Sequence, residues 1–398
     1  MPGKNFVVLR NCLNRIFNHI AEGSVSTTSD SIPLKLVLDD GKSFDGFSFG
    51  KIPHSPVVGE AVFNTGMVGY TEALTDPSYS GQLLCFTYPL LGNYGVPSYV
   101  KDSDGILRNF ESPKIQAKAL VASSVSKFPS HYEMKKTLSE WLEEEGITGI
   151  EGLDTRELTL HLRERGVMMG AISEEIERAK AALEGAPDYS SHNFAEAVST
   201  KFPLVFGKAS SGKIAIIDCG VKLNIVRNLV KRGFEVTVLP FSTKIDALDA
   251  KYDGVVISNG PGDPKNCLPA IELSRSVMEK DIPILGICLG TQIIALALGA
   301  DTYKLKYGHR GQNKPCIDLR SGRCLVTSQN HGYTVREDSL EGTGLEPWFV
   351  NADDKTLEGI IHPVKPCLSV QFHPEASPGP FDASYVFDAF YDKVLKSS

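Results

Sequence analysis

From residue 213 onward the chain alternates short runs of apolar side chains with longer stretches in which apolar positions recur every three or four residues. The runs are Lys213-Ile214-Ala215-Ile216-Ile217-Asp218, 235–239, 254–258 and 282–287, and helical spacing covers 224–232, 268–279 and 291–298. Strands without a polar face cannot border water, so this rhythm predicts a mostly parallel sheet flanked by helices on both faces. Ligands of such sheets gather outside the carboxyl ends of the strands.

The earlier half has a different rhythm. Residues 34–38 and 44–49 read as two strands joined by the turn Asp39-Asp40-Gly41-Lys42, and turn-rich segments follow, including Thr75-Asp76-Pro77-Ser78-Tyr79-Ser80-Gly81. Helical patterns cover 134–145 and 155–165, the second stopped by Gly166. Between 186 and 212 periodicity fades and Pro187, Ser190, Ser191, Ser210, Ser211 and Gly212 collect, as in a connection. The expected fold class is α/β with two domains: a mixed, β-rich domain over 33–185, a linker over 186–212, and a sheet-and-helix domain over 213–398, whose last helix is expected over 385–395.

Residues 1–32 stand apart as a leader. The first 21 contain Lys4, Arg10 and Arg15 but no Asp or Glu, and Phe6, Leu9, Leu13, Ile16 and Ile20 recur at helical spacing ahead of the hydroxyl-rich stretch 24–29. A basic amphipathic helix followed by hydroxyl residues reads as a mitochondrial transit peptide, which would place the protein in the matrix. A frayed extension on a cytoplasmic protein is the alternative.

Composition narrows the function without naming it. The formal charge of −7 over 398 residues gives no basic surface for nucleic acid or anionic lipid, and no apolar run nears the roughly 20 residues that span a bilayer. Eight cysteines without a CxxC pair argue against a disulfide framework and against thiolate metal ligation, so no metal is expected.

One of those cysteines is placed for chemistry. Cys288 ends an apolar run, a helix follows at once, and Gly286 and Gly290 flank it. A nucleophile in a tight strand-to-helix turn stands above the sheet, and a helix N-terminus favours its thiolate. A buried structural thiol would need neither glycine. The thiolate needs a base, and in Gln371-Phe372-His373-Pro374-Glu375 the histidine and the acid project to one side of an extended chain, so Glu375 can fix the His373 tautomer. His331 and His362 compete for that role without an acid so placed. The turn Ser258-Asn259-Gly260-Pro261-Gly262-Asp263-Pro264 follows the third apolar run and can offer a backbone N–H to a carbonyl oxygen.

These three motifs, in this order and spacing, resemble the signatures of the class I (triad) glutamine amidotransferases. The resemblance implies a Cys288 nucleophile that forms a glutamyl thioester, His373 as acid and base, Glu375 as its orienting acid, and an oxyanion hole from the N–H groups of Gly262 and Leu289. Further stretches, among them Gly59-Glu60-Ala61-Val62-Phe63-Asn64-Thr65-Gly66, Leu74-Thr75-Asp76-Pro77-Ser78-Tyr79, Asp154-Thr155-Arg156 and Ser328-Gln329-Asn330-His331-Gly332-Tyr333, are similar to the small, glutaminase subunit of carbamoyl-phosphate synthetase. That likeness implies glutamine contacts from Ser78, Gly260, Gly262, Leu289, Gln292, Asn330, Gly332 and Tyr333. It implies a large synthetase subunit, or a fused synthetase region, as partner. No cofactor is expected in this chain, with ATP and magnesium on the partner, and neither nucleic acid nor membrane.

Ammonia must reach the synthetase unprotonated, so a shielded path is expected, with the first domain as the docking surface. The product could serve arginine or pyrimidine biosynthesis, and a free-standing chain with a transit peptide leans towards arginine. A cysteine peptidase or γ-glutamyl hydrolase would use the same Cys and His, but the stretch around Asn330 argues against it. A catalytically silent regulatory scaffold is countered by the intact triad.

Overall fold

The computed structural model describes residues 31–248 and 251–397, so the expected leader lies almost wholly outside the described residues. The predicted hairpin is present. Pro33–Leu38 and Ser43–Gly50 pair antiparallel with Leu36 opposite Phe44, across a turn in which Gly41 has φ 86°. Every second residue of Ser43–Gly50 up to Ser48 is buried, which is the alternation that gave the strand away.

That hairpin belongs to a closed seven-stranded barrel. Its strands run in the order Pro33–Leu38, Met168–Ser173, Val57–Asn64, Gln82–Phe86, Ala119–Val121, Thr148–Glu151 and Ser43–Gly50. Closure joins the first strand to one that begins 130 residues later, and it leaves no open edge. The helix expected over 134–145 starts only at Leu138. Thr137 caps it in a reciprocal capping box with Glu140, and Met134–Lys136 before it forms a short strand instead. The helix Thr155–Arg165 ends before Gly166 as expected.

The second half is a ten-stranded sheet. Its centre is the predicted parallel array, in the order Glu235–Pro240, Lys213–Asp218, Gly254–Ile257, Ile284–Ile287 and Cys367–Val370. Both faces are covered. Ala215 and Ile217 pack towards the helices Leu268–Glu279 and Leu289–Ala297, whereas Ile214 and Ile216 pack towards Leu223–Val230 and Tyr385–Ser397. Beyond Cys367–Val370 the sheet continues antiparallel through Leu357–Ile361, Glu346–Asn351, Thr302–Asp318 and Cys324–Val335, an extension that the repeating pattern did not announce.

The stretch 186–212, expected as a linker, carries elements of its own. It holds a short 3-10 turn at Tyr189–Ser191, the helix Phe194–Val198 and the strand Leu204–Phe206, which pairs antiparallel with Glu235–Pro240. Residues 33–398 form one compact unit. Among the described residues no helix is long and apolar enough to cross a membrane.

Candidate active site

Cys288 sits between the strand Ile284–Ile287 and the helix Leu289–Ala297, with φ 54° and ψ −105°, a backbone region that side-chain-bearing residues avoid. The flanking glycines explain how the turn closes. A Cβ on Gly290 would lie 2.1 Å from Ile257 O, and one on Gly286 would lie 2.8 Å from the Gly290 carbonyl, so the helix can pack against the sheet only without them. Cys288 N donates to Val370 O at 2.8 Å and Thr291 Oγ1 to the same oxygen at 2.6 Å, which ties the turn to the strand leading to His373. The Sγ atom is buried, 3.6 Å from Gln371 Nε2 and 3.7 Å from Asn330 O.

His373 and Glu375 do face one another. His373 Nδ1 and Glu375 Oε1 are 2.7 Å apart, both residues wholly buried. The strand itself ends at Val370, and His373 is held by an isolated bridge in which its N–H donates to Ser328 O at 2.9 Å. Burial opposes a charged imidazole, but the Glu375 carboxylate overrides it, with a further contribution from the Cys288 thiol, and His373 is pushed up to about 10. Its Nε2 makes no hydrogen bond of ordinary length and is left for the thiol and for substrate. The other histidines are otherwise occupied: His331 Nδ1 faces Tyr333 O at 2.9 Å, and His362 Nδ1 accepts from Val364 and Lys365 N–H.

A second charge stabilises the acid. Lys222 Nζ lies 3.0 Å from Glu375 Oε1 and 4.0 Å from Glu111 Oε1, and all three side chains are buried. Burial alone would raise Glu375; Lys222 and His373 instead pull it down to about 2, so it stays a carboxylate. Glu111 is farther from the cation, and burial leaves it at about 7 despite Lys222. Glu111 comes from the first half of the chain, and its Oε2 accepts the Asn224 N–H at 3.0 Å. The nucleophile, base and acid all follow residue 258, yet the acid's setting draws on a residue ahead of the expected linker.

Cys288 lies on a narrow cleft, and each of the eight residues expected to touch glutamine borders it. Ser78 reaches it from the 3-10 turn Pro77–Tyr79, where Asp76 Oδ1 accepts Ser78 N–H at 2.9 Å. The other Asp76 oxygen accepts Asn330 Nδ2–H at 3.1 Å, and Asn259 Nδ2 donates to Ser78 Oγ at 3.0 Å. Gly260 is unavoidable there, since a Cβ would fall 2.0 Å from Cys219 O. Gln292 donates to Tyr333 O at 2.7 Å and to Gln371 Oε1 at 3.0 Å, so its amide buttresses the wall. Gly262, with φ 92°, borders the cleft together with Tyr189, whose hydroxyl donates to Ser80 O at 3.0 Å.

Residues 215–393 match the glutamine amidotransferase class-I family, and residues 36–172 match the carbamoyl-phosphate synthase small chain domain. A carbamoyl phosphate synthase arginine-specific small chain from Chaetomium globosum is 46% identical over 371 residues, which cover 93% of this chain and 80% of the relative. The protein of the same description from Debaryomyces hansenii is 45% identical over 388 residues, covering 94% and 89%. The chain belongs to the carbamoyl-phosphate synthase small chain family. A solved glutamine amidotransferase from Thermotoga maritima aligns with 46% of this chain and 84% of its own, at 21% identity and a TM-score of 0.35.

Several residues of this family member's site were given no role from the sequence, although Glu60 stands in the family-like stretch 59–66 and Arg310 in the loop 308–313, which resembles the family's loop beside the active site. Glu60, Lys304 and Arg310 border the cleft; Glu60 pairs with Lys304 at 2.7 Å and accepts Gln82 Nε2–H at 2.8 Å. Lys222 did carry a signal, because it stands just past the carboxyl end of Lys213–Asp218, where such sheets collect ligands. Glu111 and Tyr189 carried none, lying in segments without periodicity.

Proposed function

We infer that the protein is the glutaminase component of a glutamine-dependent carbamoyl-phosphate synthase. What carries the reading is one juxtaposition: the Cys288 thiol, beside a buried His373–Glu375 pair, opens onto a cleft bordered by groups of both signs. Glu60, paired with Lys304, and Arg310 put both signs of charge on the cleft wall, which suits the ammonium and carboxylate of a free amino acid. A peptide bond would offer neither.

In this mechanism the His373 imidazolium and the Cys288 thiolate form the reactive pair. The sulfur attacks the side-chain amide carbon of glutamine, and the N–H groups of Gly262 and Leu289 receive the oxyanion. His373 protonates the amide nitrogen, the C–N bond breaks and ammonia leaves. His373, now neutral, takes a proton from water as it attacks the thioester, and returns that proton to sulfur as glutamate departs. Glu375 orients the imidazole throughout.

Ammonia is protonated in neutral water, so it needs a guarded route. Beyond Asn330 and His373 a second void, bordered by Asp76 and Lys222, leads past Glu72 and Gly69 to a third one open near Val68 and Tyr94. We propose that this series is the route and that its mouth meets the large synthetase subunit, which holds ATP and magnesium. The descriptions of the relatives as arginine-specific favour arginine over pyrimidine biosynthesis as the destination. The leader motivates a mitochondrial matrix location, testable by fractionation of tagged protein.

The deciding experiment mixes the purified chain with a synthetase subunit and follows glutamate and carbamoyl phosphate together. Near-equal formation of both, dependent on glutamine, is expected. Hydrolysis of γ-glutamyl peptides in preference to glutamine would replace this reading with a peptidase.

A further inference from the structure

At the wall of the cleft, which His331 helps to line, two histidines converge on one buried carboxylate that the glutaminase chemistry does not use. His309 Nδ1 lies 3.1 Å from Glu358 Oε1 and His331 Nε2 lies 3.6 Å from the same oxygen. Their rings meet edge to face at 87°, with centroids 5.0 Å apart. Ligand atoms bound to a tetrahedral zinc at about 2.0–2.1 Å stand roughly 3.4 Å from one another; the two spacings to Glu358 Oε1 fall near that value, and all three ligand atoms lie within 4.8 Å of one another.

The outer contacts agree. His309 Nε2 is 2.8 Å from Asp354 Oδ2 and His331 Nδ1 is 2.9 Å from Tyr333 O, so each ring can give its far N–H to an oxygen and turn its near nitrogen's lone pair inward. That is the carboxylate- or carbonyl-supported histidine of metal sites. His331 Nε2 and Glu358 Oε2 have no hydrogen-bond partner, although both residues are more than nine-tenths buried. An unpartnered polar atom is rarely left in a protein interior.

We propose that His309, His331 and Glu358 form a three-ligand site for a zinc-class divalent cation, with the fourth position open to water. The lack of CxxC pairs excluded only thiolate ligation, and this set uses none, so the expectation that the chain binds no metal is set aside. Asp354, half-exposed beside His309, gives the ion a way in. Bound there, the ion fastens the strand Cys324–Val335 to Leu357–Ile361 immediately behind Asn330 and Tyr333. The proposal stands independently of the glutaminase reading.

The test uses the full chain carrying Cys288→Ser, which removes the competing active-site thiolate. Dialysis against zinc, then elemental analysis, should find one equivalent bound, zinc should raise the melting temperature, and cobalt should show the visible bands of a four-coordinate ion. Glu358→Gln should abolish uptake. If that buried change prevents folding, as circular dichroism would show, Asp354→Asn decides: it should weaken zinc about 10–100-fold. Absence of uptake by the parent chain, or uptake unaltered in whichever variant folds, overturns the site and leaves His309 as a hydrogen-bonded bridge between two carboxylates.

Discussion

Lys222 and Glu375 are joined at 3.0 Å inside the protein, and the carboxylate oxygen that meets the ammonium is the one His373 Nδ1 faces at 2.7 Å. The acid thus answers to two cations. Lys222→Met should leave Glu375 with His373 as its one remaining cation and Glu111 without the Lys222 charge, a change of the kind that destabilises by about 3–5 kcal/mol.

The same pair predicts a pH signature. Glu375 at about 2 lies below the 4.5 of an unfolded glutamate, so its stabilisation is complete above pH 4.5 and fades as pH falls towards 2. His373 at about 10 lies above 6.5, so its share is complete below 6.5 and is lost as pH rises through 10. These are two sides of one interaction. Melting curves should show the gap between wild type and Lys222→Met widest above pH 4.5 and closing towards pH 2; a gap independent of pH would dissociate Lys222 from the acid's ionisation.

Cys288→Ser should remove glutamine-dependent carbamoyl phosphate synthesis while the assembled enzyme still uses ammonium salt, because added ammonia bypasses the thiol. His373→Asn should be equally severe and Glu375→Gln milder, since one moves protons and the other orients. Steady-state glutaminase rates give the ranking, and a reversed order would reassign the roles.

Asp76→Ala withdraws two hydrogen bonds at once, from Ser78 N and Asn330 Nδ2. Losing about 1–3 kcal/mol of positioning should raise KM for glutamine roughly 10–100-fold, with a smaller effect on kcat. Unchanged KM would mean that Ser78 and Asn330 do not hold substrate.

Gly290→Ala drives a Cβ to within 2.1 Å of Ile257 O, a backbone atom that cannot step aside. The helix must shift, at about 1–3 kcal/mol, and Cys288 moves with it. Glutaminase activity should therefore fall by more than the loss of stability explains, as activity measured well below the melting temperature would show.

Removal of residues 1–185 tests how far catalysis is housed in the second half. The order of the motifs suggests a self-sufficient domain, but Asp76, Ser78 and Glu111 would all be lost. The fragment should hydrolyse glutamine at least 100-fold more slowly than the intact chain, with circular dichroism reporting whether it folds.

The parts legible in the sequence were those with a local cause. Wholly apolar strands, a thiol between two glycines and a histidine two residues from an acid each declare themselves within ten positions, and the parallel centre of the sheet and the triad follow from them. Barrel closure between Pro33–Leu38 and Met168–Ser173 had no such signal. Nor did the meeting of Glu111, Lys222 and Glu375, because a buried ion pair between distant segments looks, residue by residue, like solvated charge. The helix expected over 134–145 failed for a local reason, since Thr137 with Glu140 is a start signal in the middle of the window.

At Cys288 the main chain turns with a handedness that only glycine adopts freely, a strain on the order of 1–3 kcal/mol. Exchanging the thiol for glycine should make the protein harder to melt as it makes it inert. Robustness and catalysis therefore compete for a single codon: a lineage released from using glutamine would gain by losing its nucleophile, and a thiol kept in that position marks a chain still selected to react.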